Sequence, residues 1–206
     1  MNPWREIPLA DYEAHMQSDA VGQATALSEL FGRVLELRKP ASVAVLGVAG
    51  GNGLERIDNN TTHRVVGLDL NPHYIAAVRE RFAQIAGLEL HAVNLAEEAI
   101  TLEPVELVHA ALVFEHAGLG LCLDNALALM ADEGALSVVV QLPSTQSQVV
   151  GSSGVASIGK LSSHFKLIDP AVLTRTLAEH GLQLIHENIY PVPAGKQLWL
   201  GVFRRG

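Results

Sequence analysis

A single cysteine, Cys122, is all the thiol chemistry available to this chain of 206 residues. A disulfide within the chain is therefore excluded, as is a cysteine-built zinc cage, and both absences suit a reducing compartment such as the cytoplasm. Basic residues are scarce as well, with 14 Lys and Arg against 22 Asp and Glu. The resulting formal charge of -8 opposes a broad phosphate-neutralising face, so nucleic acid is not an expected partner. Long apolar runs are missing too. Mean hydropathy is positive at +0.23, yet His109, Glu115, His116 and Gln141 interrupt the apolar stretches before a membrane span is reached. The opening "MNPWREIPLADYE" carries acids and prolines where a secretory leader would need an unbroken apolar region, so the sequence reads as mature cytoplasmic protein. Internal repeats and domain linkers are also lacking, which leaves one globular domain as the expectation.

What is present is an alternation. The segments "SVAVLGV", "RVVGLDL", "GLELHAV", "VELVHAALV" and "GALSVVVQL" read as strands buried on both faces, and helical segments separate them. Such an order predicts a parallel sheet. The clearest helix is "NPHYIAAVRERFAQIAG", with Asn71 as its cap, Pro72 at its first position and Gly87 as its stop. Residues 9–37 read as one or two helices ahead of the first strand, ended by Pro40. Residues 143–168, rich in Ser, Gly and Gln, read as a lid or binding loop. Asp169 caps a further helix, and "LQLIHENIYPV" and "KQLWLGVFRR" form a closing antiparallel hairpin.

The stretch "VLGVAGGNGLE" follows the first strand and holds four glycines in seven residues, Gly47 to Gly53. Bare backbone N–H groups at the carboxyl edge of a parallel sheet are a place for a ligand. No Gly-Lys-Ser/Thr follows, so the turn is not a nucleoside-triphosphate loop. The dinucleotide fingerprint fails as well, because Ala49 and Asn52 stand at its second and third glycines. Asp69 closes the second strand, where an acid accepts hydrogen bonds from a ribose diol. That leaves an adenosyl cofactor, with NAD as an alternative.

These residues, with "VVGLDLNPHYIAAVRER", "VELVHAALVFEHAG" and the closing hairpin, resemble the class I S-adenosylmethionine-dependent methyltransferases over residues 41–204. The resemblance implies a Rossmann-like α/β fold, with a mostly parallel seven-stranded sheet, an antiparallel C-terminal hairpin and helices on both faces. Its implied organisation is a helical cap at 1–40, a cofactor-binding half at 41–142, the lid at 143–168 and the closing helix and hairpin at 169–206. S-adenosylmethionine would lie along Gly47, Val48, Ala49, Gly51 and Gly53, with its ribose on Asp69 beside Leu70 and its adenine at Asn94 and Leu95. Two positions depart from the family pattern. Ala49 takes the place of the middle glycine, and Val45 replaces the acid that usually helps to hold the methionine amino group.

Methyl transfer needs alignment, exclusion of water and sometimes a base. Glu115 and His116 at the end of the fourth strand are the candidates for that work, the imidazole because it ordinarily titrates near neutrality. Tyr12, His15 and Met16 share a helical face and, by the same resemblance, Tyr12 and His15 would close the site, whereas Trp4 and Met16 read as packing residues. His164, in the lid, is a further substrate candidate. His109 reads as a core histidine. The remaining histidines follow no metal-ligand pattern, so no metal is expected. The Asn/Asp-Pro-Pro-aromatic signature of nucleic-acid amino methylation and a cysteine nucleophile are both absent, which points to a small-molecule acceptor. A non-catalytic protein that binds S-adenosylmethionine or S-adenosylhomocysteine, and a nicotinamide-dependent oxidoreductase, are the competing functions.

Overall fold

The computed structural model of the chain describes residues 2–19, 21–144, 154–161 and 164–206. Seven strands form one sheet: β1 (Ser42–Leu46), β2 (Arg64–Asp69), β3 (Leu88–Ala92), β4 (Val105–Ala111), β5 (Met130–Gln141), β6 (Leu182–Val192) and β7 (Lys196–Arg205). They lie in the order β3-β2-β1-β4-β5-β7-β6. Pairing is parallel from β3 through β5, and β7 runs antiparallel to both of its neighbours. The chain moves outward from β1 to β2 and β3 and then crosses back to β4, so the topological switch point falls between β1 and β4.

Alternation along the strands supplies both faces of the sheet. Val43 and Val45 of β1 join one apolar cluster, which α1 (Leu9–Gln17), α2 (Gln23–Arg38) and α3 (Pro72–Arg81) cover with Met16, Leu30, Phe31, Val34, Ile75 and Val78. Ala44 and Leu46 point the other way, into a second cluster under α4 (Phe114–Ala117), α5 (Leu121–Leu129) and α6 (Pro170–Glu179). Fully burying each Val or Leu side chain of these clusters stabilises the fold by roughly 1.5–3 kcal/mol relative to exposure. His109 of β4 belongs to this interior. It is 3% exposed, its Nδ1 lies 3.1 Å from Ser137 Oγ, its ring stacks on Phe31, and burial holds its pKa down at about 4.

Two expectations change. The strand β3 is at most half-buried along its length, in keeping with its place at the sheet's edge. The helix α3 starts on Asn71 and Pro72 as read, with Asn71 Oδ1 accepting from the His73 N–H at 3.0 Å, but it stops at Arg81 rather than at Gly87. Gly87 has a φ of +64° and meets the His63 carbonyl so closely that a side chain there would strike it, so this glycine serves the turn into β3 instead. Within the stretch read as a lid, 145–153 and 162–163 lie outside the described residues. The rest is partly packed: Ile158 and Leu161, in a short 3-10 turn, are buried against Ile7.

The N-terminal segment runs across the carboxyl edge of the sheet and is tied there. Asn71 Nδ2 donates to the Trp4 carbonyl and Tyr74 Oη to the Ile7 carbonyl, each at 2.9 Å. Arg81 pairs with Glu13, and Ser157 Oγ donates to Asp11 Oδ2 at 2.7 Å. What lies beneath this strap is a cavity.

Candidate functional site

The cavity, of about 160 Å³, opens along the carboxyl edge of the parallel strands, where open α/β sheets place ligands. The rim beneath it is formed by Gly47 after β1, Asp69 ending β2, Val93 after β3, Ala111 ending β4, Gln141 ending β5 and Lys196 opening β7. From β2 to β7 is four strand spacings, roughly 19 Å across. The strap supplies the roof, with Asn2, Trp4, Tyr12, His15 and Met16.

Asp69 is the best-positioned charge. Its Oδ2 accepts from the Ala49 N–H at 2.9 Å and its Oδ1 from the Asn71 N–H at 2.8 Å. Each carboxylate oxygen keeps a second lone pair, so the group is clamped by backbone yet still able to accept from a ligand. Burial raises its pKa to about 6 against the opposing pull of those backbone hydrogen bonds. The Asp69 charge in turn raises the pKa of Tyr12, where burial is the larger cause.

The glycine turn divides its labour. Gly47, at φ +65°, lines the cavity, and a Cβ there would sit 2.7 Å from Val113 Cγ2. Ala49 also lines it and adopts a φ of +47°, the left-handed conformation that a glycine at this position would take without strain. Leu112, at φ +56°, is a second strained residue on the cavity wall. By contrast, Val48, Gly51 and Gly53 do not line it. Gly51 makes room for the Phe82 ring and Gly53 for Phe31, so these two serve the packing of the turn onto α3 and α2. Val48 is buried beside Gly67 and Leu90. Val45 is 8% exposed within the first apolar cluster, clear of the cavity.

Leu70, Asn94 and Leu95 line the end nearest β2 and β3. Asn94 Oδ1 accepts from the Ala96 N–H at 3.2 Å, fixing the turn after β3. Tyr12, His15 and His116 reach the cavity as well, and so do Trp4 and Met16, which the sequence assigned to packing. His164 does not. It is exposed, and its charge lowers the His116 pKa from nearby.

His116 stands in an aromatic wall. Its ring meets Trp4 and Phe165 edge to face, each at 4.9 Å, and Trp4 meets Tyr12 at 5.6 Å. Burial, followed by the His164 charge, brings its pKa down to about 4, so the near-neutral titration expected from an ordinary imidazole is corrected. Its Nδ1 is buried with no partner among the described residues.

Glu115 points elsewhere. It is 2% exposed and outside the cavity lining. Its Oε1 accepts from the Gln141 N–H at 2.9 Å and its carbonyl from the Lys166 N–H at 2.8 Å, while Oε2 has no partner among the described residues. Burial pushes the carboxyl up to about 7. The folded protein thus holds this proton more tightly than the unfolded chain does. The stabilisation is full below the ordinary value of 4.5 and is lost as pH rises through about 7. Glu115→Gln keeps the acceptor for Gln141 and removes the charge. Urea unfolding is expected to show the variant more stable than the wild type by on the order of 1–3 kcal/mol at about pH 8, with little difference at about pH 5.

Gln141 and Lys196 are the residues that sequence reasoning missed. Gln141 is 3% exposed and its Oε1 accepts from Gln23 Nε2 at 2.8 Å. Lys196 is 2% exposed, and burial lowers its pKa. Both are polar residues at the cavity-facing ends of otherwise apolar strands, and that was the available signal. Cys122, in α5, is fully buried, and burial takes its thiol to about 12. Among the described residues there is no cluster of His, Cys, Asp and Glu that could hold a metal ion, and no helix long and apolar enough to cross a membrane.

No family model and no curated protein sequence matches the chain. Solved structures do. The N-methyltransferase NodS from Bradyrhizobium japonicum WM9 superposes with a TM-score of 0.64 at 16% identity, over 88% of this chain and 95% of that one. The Burkholderia thailandensis 1,6-didemethyltoxoflavin-N1-methyltransferase, solved with bound 1,6-didemethyltoxoflavin and S-adenosylhomocysteine, gives 0.65 at 17% identity over 87% and 78%. A [4+2]-cyclase, SpnF, gives 0.66 at 9% identity over 87% and 80%. With its strand order, its single reversed strand and helices on both faces, the chain has the Rossmann-like fold of the class I S-adenosylmethionine-dependent methyltransferases.

Proposed function

We propose that the protein transfers the methyl group of S-adenosylmethionine to a small-molecule acceptor by in-line displacement. The observation that carries this reading is the clamped Asp69 carboxylate facing, in one cavity at the switch point, the bare Gly47 turn and the apolar pair Leu70 and Leu95. Those residues fit the cofactor. Asp69 offers two acceptors to a ribose diol, Leu70 and Leu95 offer flat apolar contact to adenine, and Gly47 lets a ligand approach the backbone. Asn94 adds an amide beside the adenine position. The bound cofactor would supply an electrophilic methyl group on a sulfonium.

The chain's own work is then positional. Trp4, Tyr12, Met16 and Phe165 roof the cavity and keep water out, and His116 presents a neutral imidazole to an acceptor O–H or N–H. Several of the similar structures are methyltransferases of small molecules, which supports the reading, while the cyclase illustrates that the same fold hosts other chemistry. Burial of Val45 in the core favours a second reading, a non-catalytic adenosyl-ligand binder, because the usual contact to the methionine amino group is missing there.

Calorimetric titration with S-adenosylmethionine, S-adenosylhomocysteine and NADH tests the proposal. Both adenosyl ligands are expected to saturate one site and NADH to fail. Preference for NADH would replace the reading with an oxidoreductase, and binding without turnover across an acceptor screen would favour the non-catalytic protein.

A further inference from the structure

Aromatic side chains are few, two Trp, three Tyr and five Phe. Five of these rings are buried by the protein itself: Phe31, Tyr74, Phe114, Trp199 and Phe203. The other five are only half-buried. The fold accounts for two of them, since Phe82 fills the space left at Gly51 and Tyr190 lies under the Arg33 guanidinium, 5.2 Å from its ring centre. The remaining three, Trp4, Tyr12 and Phe165, all line the cavity.

These three form a row with His116. Tyr12 meets Trp4 at 5.6 Å, Trp4 meets His116 at 4.9 Å and His116 meets Phe165 at 4.9 Å, each contact edge to face. An edge-to-face contact sets only the rim of one ring against the next, whereas the stacked Phe31 and His109 rings cover each other's faces in the core. Ring surface along the row is thus left to whatever fills the cavity. His116 adds a polar atom, Nδ1, buried and without a partner among the described residues. The polar groups at the β5 and β7 end, Gln141, Lys196 and His15, are by contrast engaged within the protein.

We infer that the row of Tyr12, Trp4, His116 and Phe165 seats the methyl acceptor, and that this acceptor is a flat aromatic molecule carrying an O–H or N–H on its edge for His116. The inference rests on the methyltransferase reading above and adds the chemical class of the substrate.

A saturated or flexible acceptor would gain burial equally well from Leu, Val or Met. What rings add is direction, because the face and the edge of a π system carry opposite partial charge and favour offset or edge-on contact with another flat ring. The row is also held in place from several parts of the chain. Asn71 Nδ2 fixes the Trp4 backbone from the cap of α3, and the Lys166 N–H, bonded to the Glu115 carbonyl at 2.8 Å, sets Phe165 beside His116. Rings positioned in this way bind a flat partner with little ordering left to do.

The probes are 2-naphthol and decahydro-2-naphthol, which keeps the carbon skeleton and the hydroxyl but loses the flat π system. Each is titrated calorimetrically into protein saturated with S-adenosylhomocysteine. 2-Naphthol is expected to bind at least about tenfold more tightly, the scale of two or three aromatic contacts. That preference is expected to shrink by about threefold or more in Phe165→Leu and in Trp4→Leu and to persist in Phe165→Tyr, with S-adenosylhomocysteine affinity unchanged in all three. Equal binding of the two probes, no 2-naphthol binding at millimolar concentration, a preference undiminished in both leucine variants, or one lost equally in Phe165→Tyr would overturn the inference. If S-adenosylhomocysteine itself does not bind, the methyltransferase reading fails, and the same contrast on the unliganded protein and its Phe165 variants decides the aromatic seat alone.

Discussion

Asp69→Ala is expected to weaken S-adenosylhomocysteine binding by about 100-fold or more while leaving the fold intact. In the proposed function the carboxylate would offer the ribose two acceptors, and hydrogen bonds to a charged group contribute about 1.5–3 kcal/mol each. The same substitution leaves the Ala49 and Asn71 N–H groups without their acceptor, so the turn after β1 and the cap of α3 loosen together. Asp69→Asn separates the two effects. It keeps one amide oxygen for either the backbone or the ribose, and an intermediate affinity is expected, with a thermal midpoint closer to that of the wild type. The pH dependence has a definite sign. Because the free carboxyl titrates at about 6, adenosyl affinity should be level above that value. It should then fall by up to about tenfold per pH unit below it, as the ribose loses its acceptors to protonation. Calorimetric titration of S-adenosylhomocysteine across this range checks the point, and affinity that is independent of both pH and Asp69 would remove the ribose from this position.

The parallel sheet with its antiparallel closing hairpin, and the residues at the β2 and β3 end of the cavity, were legible because they depend on local signals. Strand runs of apolar residues, the Asn71-Pro72 and Asp169-Pro170 helix starts, the glycine turn and an acid at the end of β2 are each written within a few consecutive residues. The β5 and β7 end was not, because it is assembled from distant parts of the chain. Gln141 and Lys196 are 55 positions apart and meet the cavity only because β7 inserts antiparallel between β5 and β6. Glycine count alone also misled. Gly47, Gly51 and Gly53 look equivalent in sequence, yet one faces the cavity and the others admit Phe82 and Phe31. Trp4 and Met16 had the composition of core residues, and only the strap's ties to Asn71, Tyr74 and Arg81 bring them over the cavity.

His116→Phe is expected to lower kcat by about 100-fold or more once an acceptor is in hand, with S-adenosylhomocysteine affinity unchanged. Phenylalanine keeps a ring between Trp4 and Phe165 and so preserves the wall, but it has no Nδ1 to receive the acceptor's proton or hydrogen bond. The low pKa, about 4, sets how the residue works. An imidazole that weakly basic is already deprotonated throughout the neutral range, so in the proposed function it would orient an O–H or N–H by accepting from it rather than draw a proton off by its own affinity. The rate should therefore show no inflection near the ordinary histidine value of 6.5 and should fall only toward about 4. A negatively charged acceptor and the sulfonium itself would shift this pKa in opposite directions, the first up and the second down. An inflection moving above the free-protein value as an anionic acceptor is varied would mean that His116 takes the proton as a base. A kcat in His116→Phe equal to that of the wild type would leave the imidazole as wall alone and assign deprotonation to solvent.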